Sequence, residues 1–173
     1  CFGYIGLTMY ESVVHGFPEY QSIAAELNGL YRLPIPDSTK RYSWHLVLNA
    51  GQAEIIRNIY VQTSDENKLK IDSLKSYFEK IYRKTVTDDD VASRSIAYGK
   101  EIAQTIFEWS KTDGGHRAYL NNFDKTLVFK EKPGGWKPPL YAQSFSHFPL
   151  HPYWGKNRVF ILVNDSIDDP AFI

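Results

Sequence analysis

The chain has 173 residues, 43% of them hydrophobic and 15% aromatic, and its twenty Lys and Arg balance twenty Asp and Glu for a net charge of zero. This is a globular composition, long enough for one domain with a core. It excludes a disordered chain and argues against a nucleic-acid or membrane-surface module driven by bulk charge. A single Cys excludes an internal disulfide and a Cys-rich zinc site. No run of 18 apolar residues codes a transmembrane helix.

The chain opens at Cys1 with no basic region or cleavage pattern. Cys1 reads as either a lipidated cysteine or an interior position of a longer chain. The interior reading is favoured, because an apolar pattern starts at once with no polar tether. The far end, Asp168 to Ile173, carries no ending signal, so the expectation is a fragment of a longer protein. Residues 2–15 place Tyr4, Ile5, Leu7, Tyr10, Val13 and Val14 at helical spacing, and Gly16 follows as a stop. Gly3 and Gly6 lower helix propensity but let another element approach closely. Pro18 suits the first turn of a second helix over 19–30, with Tyr20, Ile23, Ala24, Leu27 and Leu30 on one face. Leu33-Pro34-Ile35-Pro36 is a rigid loop.

Residues 42–62 predict a third helix, with Leu46, Ala50, Ala53, Ile56 and Ile59 along one face. Ser64 is an N-cap candidate for a fourth helix over 65–83, with Asp65 and Glu66 in its first turn. Thr87 is the expected cap of a fifth helix ending near residue 111, and Thr87-x-x-Asp90 has the form of a capping box. The acids Asp88, Asp89 and Asp90 are explained by the helix dipole better than by a metal. Beyond Asp113-Gly114-Gly115 the chain becomes rich in Pro, Gly and aromatics, with Phe145, Phe148, Tyr153, Trp154 and Phe160 close together. The fold class is therefore all-α: a bundle of about five helices in a single domain, 1–173, followed by a long irregular segment.

The chemistry-bearing residues are sparse. His147 and His151 are four apart, but Pro149 lies between them, which disfavours a helical metal pair. His15, His45 and His116 stand alone. Cys1 heads an apolar helix, a poor setting for a reactive thiol. Gly114-Gly115 and Gly134-Gly135 read as turns and not as a phosphate loop. Asn164-Asp165-Ser166 fits a glycosylation sequon, a pattern common by chance. Trp136, Trp154, Lys156 and Arg158 could rim an anion site, with Arg158 as the clamp; anchoring of a long loop by the two Trp is the favoured reading.

Three stretches carry a family resemblance. They are Gly3-Tyr4-Ile5-Gly6-Leu7 through Tyr20, Tyr98-Gly99-Lys100-Glu101 through Asp113-Gly114, and Gly135-Trp136-Lys137-Pro138-Pro139 with His151-Pro152-Tyr153-Trp154-Gly155-Lys156 through Phe160. In this order they resemble the N-terminal helical half of bacterial vanadium-dependent haloperoxidase-like proteins, of the type 2 phosphatidic acid phosphatase superfamily. Val159 departs from the family's usual Pro. The resemblance implies an all-helical protein whose complete form binds vanadate or phosphate as cofactor, in a cradle of Lys-x6-Arg-Pro, Pro-Ser-Gly-His and Ser-Arg-x3-Gly-x-His. Cations there neutralise the oxyanion and His groups serve as ligand, nucleophile or proton carrier.

None of these motifs stands in the chain. Ser93-Arg94 begins like the third, but Gly99 is one place late and Lys100 or Glu101 stands where His is needed. No catalytic or metal residue is therefore assigned, and this chain alone is expected to hold no cofactor. The resemblance implies export to the bacterial periplasm or cell envelope. The expected partner is the remaining C-terminal half or another protein chain, and the complete protein would take a small-molecule substrate. A homo-oligomer is compatible, whereas nucleic acid is not expected. The alternative is a non-catalytic helical interaction module. A partial bundle should carry an apolar face that is exposed or covered by another chain.

Overall fold

The computed structural model describes residues 1–121, 123–124, 126–128, 133–135, 137, 148–150 and 152–161. Among the described residues it is all-α, with four α-helices and no strand. The helices are α1 (Phe2–Val13), α2 (Trp44–Ile59), α3 (Asp65–Arg83) and α4 (Asp89–Ser110). The chain divides into two compact units. One is built from residues 1–110 with Phe160 and Ile161; the described residues of 111–159 belong to the other.

In the first unit, α4 is the central helix. It buries Val91, Ala92, Ser95, Tyr98, Gly99, Ile102, Ala103, Ile106 and Trp109 along one face, the three-four spacing of an amphipathic helix. α2 crosses it at close range. A Cβ at Gly99 would stand 2.1 Å from the Val47 carbonyl oxygen, and one at Gly51 would stand 2.7 Å from Ser12 Oγ. Bare glycine is thus what lets three helices meet. The Ser95 hydroxyl donates to Val91 O at 2.6 Å and accepts the Ser43 N–H at 2.8 Å, holding the start of α2 against α4.

α3 packs on α2 without burying any residue completely. Its links are partly polar. Asn49 Nδ2 donates to Lys75 O at 3.0 Å, and the His45 and Tyr82 rings lie 5.1 Å apart. Ser64 caps the helix as expected, its hydroxyl accepting the Asn67 N–H. Leu74, Tyr77 and Ile81 form an exposed apolar stripe.

Two expectations need correction. No α-helix forms over 19–30, where the structure has turns and a short 3₁₀ segment, Ala24–Glu26. Polar partners outside the segment take its backbone groups. Glu11 Oε1 accepts the Ile23 N–H at 2.9 Å, Tyr10 donates to Gln21 O at 2.8 Å, and Asn28 N donates to Phe160 O at 2.7 Å. The apolar residues still face the core: Ala24, Leu27, Leu30 and Leu33 are all buried, at a spacing of three that suits tight turns. The second correction concerns the cap of α4. Asp88, one residue after Thr87, accepts the N–H groups of Asp90 and Val91, so the Thr87-Asp90 capping box does not form.

Among the described residues of the second unit, turns and short 3₁₀ segments take the place of α-helices. Gly114 has φ of +90°, and Asp113 Oδ1 accepts the Gly115 N–H at 2.6 Å. Two 3₁₀ segments follow, Ala118–Asn121 and Trp154–Lys156.

Candidate functional site

The anion-site candidates can be taken one at a time. Ser93-Arg94 lies on α4. The Arg94 guanidinium donates to Arg41 O at 3.1 Å and stands 5.5 Å above the Tyr42 ring. It fastens the chain before α2 to α4. Gly99 is buried beneath α2 at the helix crossing, so it is a packing glycine and presents no N–H to a ligand. Arg94 and Gly99 here serve the packing of α4 against α2 and the chain before it.

Arg158 lies in the second unit. Its Nη1 donates to Thr112 Oγ1 at 2.6 Å, and its backbone N–H donates to Asp113 O at 2.8 Å. The side chain therefore ties the turn after α4 to the segment at 154–158. Lys156 Nζ stands 5.0 Å from the centre of the Tyr153 ring. The Tyr153 hydroxyl donates to Asp124, which also accepts from Thr126. These donors, Tyr153 first, hold the Asp124 carboxyl below the usual carboxylate range. Trp154 is 70% exposed. Phe160 is the aromatic that packs: its ring lies 5.0 Å from Tyr4 and 5.2 Å from Trp109. Trp136, His147, His151 and the sequon at Asn164 lie outside the described residues.

The remaining titratable groups do not converge. His15, His45 and His116 are exposed on separate segments, and Cys1 is an exposed free thiol. No group of three His, Cys, Asp or Glu that could hold a metal occurs among the described residues.

The buried polar chemistry instead gathers where α1, α2 and α4 meet, a feature the apolar periodicity did not signal. Thr8, Glu11 and Ser12 of α1 and Ser95 of α4 are all buried. Thr8 donates back to Tyr4 O at 2.9 Å, and Glu11 grips the Ile23 N–H. Tyr98 donates to Pro34 O at 3.2 Å. Burial first, then the negative charges of Glu11 and Glu101 and the neighbouring Tyr42, push its phenol above its ordinary value of 10.0. Tyr98 is thus a fixed neutral donor that pins the Pro34 loop to α4. Arg32, Leu33, Pro34 and Ile35 line an open concavity with Glu101 and Thr105 of α4. Glu11, Ser95 and Tyr98 each hold a loop or a helix end, while Thr8 bonds within its own helix.

No protein-family model matches the sequence, and no curated protein matches it. The fold does have a counterpart. A bacterial vanadium-dependent iodoperoxidase of known crystal structure is similar over 98% of this chain, with a TM-score of 0.64 and 24% sequence identity. The chain covers 41% of that protein, less than half of its length. The resemblance read from the three sequence stretches is borne out in the fold.

Proposed function

We propose that this chain is the helical scaffold part of a larger vanadium-dependent haloperoxidase-like or acid phosphatase-like protein. In this reading its role is to form one wall of the complete protein, and the anion cradle comes from residues outside this chain. One observation carries the proposal. Nearly all of this chain finds a counterpart in an iodoperoxidase, yet it covers well under half of that enzyme.

The residues at hand do not fit vanadate or phosphate. An oxyanion of that charge needs convergent cations and N–H donors. Arg94 and Arg158 sit in different compact units and each holds a neighbouring segment. No step of halide oxidation or phosphate-ester hydrolysis is therefore assigned to residues of this chain. What they supply is rigidity, through the Gly99–Val47 crossing and the bonds from Glu11, Tyr98 and Trp109 that fix the 20–35 segment. Export to the bacterial cell envelope belongs to the same proposal, on the family resemblance alone.

The test is to obtain the complete polypeptide and titrate it with vanadate, followed by vanadium NMR. Assays of iodide and bromide oxidation by hydrogen peroxide, and of aryl phosphate hydrolysis, run alongside. Stoichiometric vanadate binding with either activity is the expected result. A complete polypeptide that carries none of the three cradle motifs, and neither binds vanadate nor shows either activity, would sink the proposal.

A further inference from the structure

α1 buries polar residues beside the core residues Tyr4 and Leu7. Its only charged residue, Glu11, is buried, as are Thr8 and Ser12. Its solvent side carries Phe2, Gly6 and Met9, with the half-buried Val13 at its end, spaced four, three and four, which aligns them along one face of a helix. Phe2 is 85% and Met9 49% exposed. A Cβ at Gly6 would meet no described atom within 4 Å. An outward helix face normally carries charge, and none stands here. A stripe of apolar residues with glycine at its middle is the form of a close helix-helix contact whose second helix is not among the described residues.

We propose that the Phe2-Gly6-Met9-Val13 stripe of α1 is the seam on which a helix from the remaining part of the same polypeptide packs. This rests on the reading of the chain as part of a larger protein. Three observations select that occupant. More than half of the iodoperoxidase has no counterpart in this chain, so a polypeptide of that length has ample further helix to place. The seam lacks charge, which is the composition of an obligate, core-like interface and not of a transient one. It is also small. A helix of 12 residues is about 18 Å long and 10 Å wide, a footprint of about 180 Å², against the ~800 Å² per partner of a stable complex between separate chains. A tethered segment at millimolar effective concentration can hold to so small a patch, and dilution separates it from a second copy. A lipid surface fits poorly, since α1 has no Lys or Arg for anionic headgroups.

Met9 is the only methionine in this sequence, so its oxidation to the sulfoxide reports directly on the seam. The complete native polypeptide is treated with tert-butyl hydroperoxide in halide-free buffer, and the peptide containing residue 9 is followed by mass spectrometry. The same polypeptide in guanidinium gives the unprotected rate. We expect native oxidation at least about tenfold slower, with the protection unchanged on hundredfold dilution. A native rate within about twofold of the unfolded one would overturn the proposal, as would protection that disappears on dilution, the mark of a second copy. Gly6→Leu supplies a test of sign. On an open helix surface the change favours helix and raises Tm. In a packed seam it lowers Tm and brings Met9 oxidation towards the unfolded rate, which is the expected result; a rise in Tm overturns it. Neither readout needs vanadate. Vanadate binding with an unprotected Met9 would remove the seam and leave the functional reading standing, and a protected Met9 without vanadate binding would do the reverse.

Discussion

α3 and α4 are the two longest helices, and their sequences look alike: both are amphipathic, both begin with acids, and both mix charge with large apolar residues. Their fates differ. α4 buries ten residues and α3 none. The difference lies less in the number of apolar side chains than in the small ones. α4 sets Ala92, Ser95, Gly99 and Ala103 along the line that meets α2, so the backbones approach to contact distance. α3 carries the bulky Ile71, Lys75, Phe78 and Tyr82 along one face, all half-exposed, and Tyr82 meets His45 of α2 through its ring. Amphipathic spacing chooses a face, and residue size on that face decides how deeply it is buried.

The largest test of this contrast is Trp109→Ala. Trp109 sits at the end of α4's buried face, packs edge-on against Tyr4 at 5.3 Å, and donates to Asn28 O at 3.1 Å. Its loss should destabilise the protein by about 3–5 kcal/mol, read from urea unfolding. Tyr77→Ala on the exposed stripe of α3 should change stability by less than about 1 kcal/mol in the same assay. Comparable losses at the two sites would end the distinction between the helices.

Gly99→Ala comes next. The added methyl would meet the Val47 backbone at a distance no side-chain rotation relieves, so the helices must separate, at about 3 kcal/mol. An exposed glycine in a helix responds the opposite way to alanine, by a gain of about 1 kcal/mol. A stabilised Gly99→Ala would show that the close crossing is not what holds α4 to α2.

These two residues also mark how far the sequence could be read. α1, α2, α3 and α4 were legible from apolar spacing, because each buries or presents one continuous stripe. The segment 19–30 was not. Its spacing of three passes for a helix, and nothing local announces that Glu11, far back in the chain, captures the Ile23 N–H. The crossing glycine was visible only as a Gly within an expected helix, since the Val47 carbonyl it meets is 52 positions away. The inward Thr8, Glu11 and Ser12 were not legible, because helix periodicity gives the apolar stripe without saying that α1 has one on each side.

Tyr98→Phe probes the buried polar end of α4. At neutral pH it removes the bond to Pro34 O and should lower stability by about 1 kcal/mol. At high pH the sign is different. The unfolded chain releases the Tyr98 proton near its ordinary value of 10.0, while the folded protein retains it to higher pH. Between those points the unfolded state binds fewer protons, so stability falls as pH rises. Tyr98→Phe should flatten that alkaline limb in urea titrations above pH 10. Because the chain has 12 tyrosines, the difference between the two proteins identifies Tyr98. Identical limbs would mean that the phenol is not held by burial.

The smallest effect belongs to α3, and it is small for the same reason that the helix is shallow. Ser64 accepts the Asn67 N–H at 3.3 Å, and Lys68 reaches Asp65 at 2.9 Å in the first turn. The Lys68 hydrogen bond, the larger cause, and its charge hold the Asp65 carboxyl below its ordinary value of 3.8. Its contribution is therefore present above that value and is lost as pH falls through the lowered one. Both partners face solvent, where ion pairs are weak. Ser64→Ala should cost about 0.5 kcal/mol, and hydrogen exchange should show that loss in the first turn of α3 while the α4 amides keep their protection. Loosening of α4 by the same change would mean that α3 is joined to the core through more than its contact with α2. A local response would leave α3 as an outer layer that stands largely on its own cap and on the half of its apolar face that α2 covers.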